Sequence, residues 1–193
     1  MDEQLEPFEN QSPVFKDYLP SAGIAGGIFG FITFVLGLVI GYVQIASEPT
    51  GSFFSPLMFG SAIVCLAAAF AGPLAVWHFA KEVTAYIKLG QGALIGFLAG
   101  TALILLSALM SELWLFIDPD FTEKMMRSAI ANIEAMDMPN ETKEMMIDST
   151  ADGLRDQNFL TTIFYGIPMY GILNLVTGLI GAAIFRKKEE ETF

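Results

Sequence analysis

Charged residues in this chain are confined to the gaps between long apolar runs. No Asp, Glu, Lys or Arg occurs from Tyr18 to Ser47, from Pro49 to Ala80, from Leu89 to Ser111 or from Gln157 to Phe185. Each run exceeds the roughly 20 apolar residues that an α-helix needs to cross about 30 Å of hydrocarbon. The runs predict four transmembrane helices, at 21–46, 55–80, 88–115 and 158–185. Between the third and fourth the pattern changes. Phe121, Met125, Ala129, Ile133 and Met136 recur at helical spacing with polar residues between them, which predicts an amphipathic helix. Asp118–Pro119 reads as its start, an Asp cap followed by a Pro that fits the first turn. Pro139 ends it. Asn140 is placed to cap a second helix carrying Met145, Met146 and Leu154, with Gly153 near its end.

The fold this predicts is all-α: a four-transmembrane-helix bundle with an amphipathic helical segment between the third and fourth spans. The chain divides into an acidic N-terminal tail at 1–20, three spans at 21–117, an extramembrane acidic Met-rich hairpin at 118–157, and the fourth span with a basic-then-acidic tail at 158–193. Within the tail, Val14–Leu19 reads as a short interfacial piece. No cleavable signal peptide is expected, because the N-terminus carries Asp2, Glu3, Glu6 and Glu9 where a signal needs basic residues.

Glycine raises the first question of chemistry. Residues 89–100 read LGQGALIGFLAG, which resembles a dinucleotide-binding fingerprint. That fingerprint needs a preceding strand, two residues between its second and third glycines, and an acid about 20 positions later. Here three residues separate Gly92 from Gly96, and the run continues as a bilayer-length helix. Packing explains the pattern instead. Gly92, Gly96 and Gly100 share one helix face, and small residues at this spacing let membrane helices approach closely. In the first span Gly23, Gly27 and Gly30 line up with Gly37 and Gly41 in the same way. These six positions, 23, 27, 30, 92, 96 and 100, are the expected helix-packing residues, either within the bundle or against other subunits.

Charge decides the orientation and removes one class of partner. The net charge of −11 argues against nucleic acid. Lys81 and Lys88 flank the loop after the second span, and Arg186, Lys187 and Lys188 follow the fourth. The positive-inside rule therefore predicts cytoplasmic N- and C-termini and an outer 118–157 segment, where ten acids accompany Lys124, Arg127, Lys143 and Arg155.

Few residues offer chemistry. The lone cysteine, Cys65, lies mid-span and reads as a small packing residue. His78, the only histidine, follows Trp77 near a span end, where amphipathic rings anchor at the headgroups; a zinc site would need further ligands. The carboxylates around Asp118–Pro119–Asp120, with Glu112 and Glu123, fall short of a calcium loop's ligand count and read as helix capping. Glu112 itself is expected in the headgroup region. In the fourth span Tyr170, Asn174 and Thr177 share a face beside Gly166 and Gly181, with Pro168 one turn earlier. They form a candidate polar pathway; the plainer alternative is a single interhelical hydrogen bond from Asn174. Six of the ten methionines fall between Met125 and Met146, so Met125, Ile133, Met136, Met145 and Met146 are a candidate docking surface. The alternative is that the hairpin folds over the bundle or along the membrane. No catalytic motif, metal site or cofactor site is expected.

Three stretches carry a resemblance: YIKLGQGALIGFLAG entering the third span, FIDPDFTEKMM leaving it, and LVTGLIGAAIFRKKEE at the end of the fourth. With the order of spans, they make residues 20–190 resemble the membrane family catalogued as domain of unknown function 4199, common in bacteria of the Bacteroidota group. The resemblance implies a multi-pass protein of the bacterial inner membrane and implies no activity. The expected function is a non-catalytic structural or accessory subunit in the lipid bilayer, packed against a membrane-protein partner or copies of itself. The alternative is a small transporter or channel acting through the polar face of the fourth span.

Overall fold

The computed structural model describes residues 13–52, 55–155 and 158–187, so the tail at 1–12 and the end at 188–193 lie outside the described residues. The described residues form helices and connecting turns. They are α1 (Phe15–Ala46), α2 (Pro56–Ala69), α3 (Ala71–Glu82), α4 (Leu89–Trp114), α5 (Phe121–Glu134), α6 (Asn140–Arg155) and α7 (Phe159–Phe185). α1, α2 with α3, α4 and α7 are each long and apolar enough to span a membrane. Helix is what such runs must form, because hydrocarbon leaves the backbone no hydrogen-bond partner but itself.

The first span begins earlier than the apolar run suggested: Val14–Leu19 is the entry to α1, with Pro20 inside the helix. The second span is not one helix. It breaks at Phe70, between α2 and α3. Pro73 has no N–H and its ring crowds the carbonyl four residues back, so the helical hydrogen-bond ladder is interrupted at Ala69.

α4 lies at the centre, packed along α7 on one side and α1 on the other, while α3 wedges between α1 and α7. The core is built from small residues with a few larger ones among them: Ala22, Ala25, Ala71, Ala75, Ala99 and Ala182 with Val76, Phe79, Ile95 and Leu103. Large apolar side chains such as Leu66, Phe70, Phe164 and Ile184 face outward. This reverses the size distribution of a water-soluble core and is what lipid surroundings allow, since tails solvate Leu and Phe as well as a protein interior does.

The ends of the bundle differ. At one end the start of α1, the α3–α4 loop and the end of α7 meet. Tyr18 Oη donates to the Pro13 carbonyl (3.2 Å) and accepts from Gln91 Nε2 (3.3 Å), and Lys187 N donates to the Ala85 carbonyl (2.9 Å). At the other end α5 lies across α1 and the α1–α2 loop. Gly51 takes φ +64°, where a side chain would be strained, and any Cβ there would collide with the Ala135 carbonyl. α6 packs on α5 and buries no residue.

Candidate functional sites

The α4–α7 seam is a backbone-to-backbone contact. A Cβ at Gly92 would strike Ala182, one at Gly96 would strike the Asn174 carbonyl, and one at Gly100 would strike the Tyr170 carbonyl. Gly178 answers from α7, its missing side chain leaving room for the Gly92 carbonyl. The three third-span glycines therefore meet the polar residues of the fourth.

α1 is rotated from the expected arrangement. Gly30 packs on Leu103 and Leu106, but Gly23, Gly27 and Gly37 have no neighbour within 4 Å. Gly26 takes the close position instead, against Ala99, Ala102 and Leu103. The buried stripe runs through Ala22, Gly26, Gly30 and Thr33, one position back from the one expected. Gly41 serves the hairpin, with the Phe121 ring and the Met125 sulfur lying over it.

Asn174 is fully buried. Its Oδ1 accepts from the Gly72 N–H at 2.8 Å and its Nδ2 donates to the Tyr170 carbonyl at 2.9 Å. Gly72 is the second residue of α3, so its N–H is one of those that a helix start leaves unpaired. Asn174 thus caps from a neighbouring helix the break that Pro73 creates. Thr177 Oγ1 donates to the Asn174 carbonyl (3.4 Å), and Tyr170 borders an outward-opening groove with Ile104, Tyr165 and Met169. The three pathway candidates share a face, but the amide at its centre is closed off by backbone.

His78 is more than an interfacial ring: its Nδ1 pairs with the buried Ser21 Oγ at 3.0 Å, tying α3 to α1. Sequence gave no sign of this, because Ser21 lies 57 positions away. Trp77 carries the Lys81 ammonium 4.1 Å above its ring.

The candidate docking residues part company. Met125 covers Gly41, while Ile133 and Met136 are buried against the outer end of the bundle. Only Met145, 66% exposed on α6, stands clear, and Met146 edges a groove shared with Leu57, Met58 and Met136. Polar side chains fix α5 in place. Ser128 Oγ donates to the Gln44 carbonyl (2.7 Å) and accepts from Gln44 Nε2, whose Oε1 accepts from Leu57 N. Asn132 accepts from Thr50 N and donates to the Ser52 carbonyl. As a set, then, these five residues are not an open docking face: three are occupied by the bundle itself.

Asp118 does not cap α5, whose cap position is Asp120. Its carboxylate accepts from Lys124 Nζ (2.8 Å), from Tyr42 Oη (2.8 Å) and from the Asp120 backbone, and Tyr42 accepts in turn from Trp114 Nε1 (3.2 Å). The Lys124 bond, then the Tyr42 bond, hold the Asp118 carboxyl below the usual carboxylate range, and the same contact raises Lys124. Glu123 pairs with Arg127.

Beside this cluster lies a cavity of about 200 Å³ between the outer ends of α1, α4, α5 and α7. Leu38, Ala108, Leu115, Phe121 and Phe159 supply apolar wall, and Glu112, Thr122 and Thr162 supply polar groups. Among the described residues no group of three or more His, Cys, Asp or Glu could hold a metal ion.

Four apolar spans with a helical hairpin between the third and fourth define a multi-pass α-helical membrane protein. Residues 22–187 match the family described as "Protein of unknown function (DUF4199)", and the chain belongs to it. No curated protein and no solved structure matches the chain.

Proposed function

We propose that the protein is a non-catalytic structural or accessory subunit of the bacterial inner membrane, packing its bundle against other membrane proteins or copies of itself. The basic end, with Lys81, Lys88, Arg186 and Lys187, faces the cytoplasm in this reading. The observation that carries it is the internal use of the spans' buried polar groups. Asn174 caps α3, Ser21 pairs with His78, and Thr33 Oγ1 donates to the Phe29 carbonyl (2.8 Å). These groups hold helices together rather than line a route for a solute, which disfavours the transporter reading. What the bundle does offer outward is the flank of α1, where Gly23 and Gly27 leave the backbone open to a neighbouring helix.

The test is purification from native membranes in mild detergent, sized on a native gel, with co-migrating chains identified by mass spectrometry. The expected result is a larger assembly of fixed stoichiometry. Gly27→Leu should release the partner while the released chain keeps its own melting profile. Recovery of the wild-type chain as a lone monomer, with solute flux that Asn174→Leu abolishes, would overturn the reading.

A further inference from the structure

We propose that the outer cavity binds a compact organic ammonium ion, with Glu112 as its counter-charge. Glu112 is partly buried in the cavity wall, and its carboxylate has no hydrogen bond or ion pair among the described residues. The hairpin's bases do not supply one: Lys124 holds Asp118, Arg127 holds Glu123, Lys143 donates to the Glu134 carbonyl, and Arg155 makes no ion pair with Glu112. A carboxylate half withdrawn from water without a partner is costly, and a cation in the cavity offsets that cost.

The remaining wall narrows the chemistry. Glu112 repels anions. A bare divalent cation needs six or more oxygen ligands, and only one carboxylate lines the cavity. A neutral ligand leaves the charge unpaired. An ammonium group meets every feature present. It pairs with Glu112, it can donate to the Thr122 and Thr162 hydroxyls, which carry no hydrogen bond among the described residues, and its carbon portion lies against Trp114, Phe121 and Phe159. The volume of about 200 Å³ sets the size. An engineered cavity of about 150 Å³ admits benzene, so the fit is a short alkyl or single-ring amine, or the aminoethyl head of a lipid. Glu112 and Trp114 lie at the outer end of α4, within reach of both sources.

Trp77→Phe leaves Trp114 as the sole tryptophan and makes the cavity its own reporter. The full-length protein in dodecyl maltoside would be titrated with n-butylammonium, and with n-butanol as the uncharged control. A saturable change in Trp114 emission is expected for the amine alone. Glu112→Gln, nearly the same shape, should weaken it about tenfold or more, the scale of a lost charge-assisted hydrogen bond. Thr162→Val should weaken it less, and provides the reading if Glu112→Gln fails to fold by circular dichroism. Repeating the titration with added phosphatidylethanolamine separates the sources: a shift to higher amine concentration identifies the lipid head, and an unchanged curve identifies a soluble amine. Absence of a saturable response, an equal response to butanol, or an unchanged curve in both variants would overturn the proposal.

Discussion

The α4–α7 seam and the α5 platform both join helices, yet they use opposite materials. At the seam, glycines remove side chains so that backbones touch, and the fully buried polar side chain there, Asn174, binds backbone. At the platform, side chains reach across the gap: Ser128 to Gln44, Asn132 to the α1–α2 loop, Tyr42 to Asp118. The difference follows the solvent. In hydrocarbon there is no hydrophobic gain from pressing helices together, so close packing and complete hydrogen bonding must hold them. At the hairpin end polar side chains supply the partners, and Gln44 and Asn132 are themselves buried among them. The amphipathic face of α5 gains from burial, and polar ties set its register.

Three comparisons would break or sharpen this contrast. Gly96→Val should have the largest effect, because its Cβ meets the Asn174 carbonyl rather than a movable side chain. Overpacking of this kind costs about 3 kcal/mol, enough to lower the melting temperature in detergent or to prevent recovery of a monodisperse protein. Gly23→Val, with open space around it, should melt as the wild type does. Equal melting of the two variants would remove the seam from the account.

Next in size is Asn174→Leu, which leaves the buried Gly72 N–H without its acceptor. The expected loss is about 1–3 kcal/mol, read as a lower unfolding midpoint. Asn132→Ala removes three part-buried hydrogen bonds at the hairpin end, one of them long, and should cost about 1 kcal/mol. A larger loss at Asn132 than at Asn174 would invert the comparison.

The smallest effect concerns acid. Asp118 has a carboxyl pKa lowered by Lys124 and Tyr42, so its ties contribute stability that is fully present above the unfolded value of about 3.9. That stability is lost as the pH falls from there through the depressed folded value. Lys124 is raised, so its share persists through neutral pH and is lost only in strong base. Amide hydrogen exchange in the first turn of α5, after correction for intrinsic rates, should quicken in acid and not between pH 6 and about 8. Asp118→Asn should exchange faster at neutral pH and lose the acid dependence. The pair is part-buried at one end of the molecule and touches no core residue, so the global melt should move little.

The four spans were legible because charge-free runs of bilayer length have one stable answer. Their internal details were less so, for identifiable reasons. The break at Phe70 sits inside an unbroken apolar run, and its one cue, the Gly72–Pro73 pair, was outweighed by hydropathy. Within the bundle α1 packs through Gly26 and Gly30 and leaves Gly23 and Gly27 open, a choice periodicity could not make because these four glycines crowd one stretch. Asp118 looked like a cap because its partner Tyr42 is 76 positions away. The hairpin's apolar face was read correctly as a face, but its occupant, the bundle's own outer end, is a tertiary fact. Of the cavity, sequence showed only Glu112 near the headgroups; the other walls come from three more helices.

The break in the second span has a mechanical consequence. It divides one crossing into two rods with different allegiances. α3 buries five residues in the core, whereas α2 buries only Gly60 and Ala68 and turns most of its length to lipid. Bilayers differ in thickness, and a span adjusts to a mismatch by tilting or kinking. An adjustment at Phe70 would fall on α2, which has little buried surface to disturb, while the Asn174 bond to Gly72 stays with α3 and the seam.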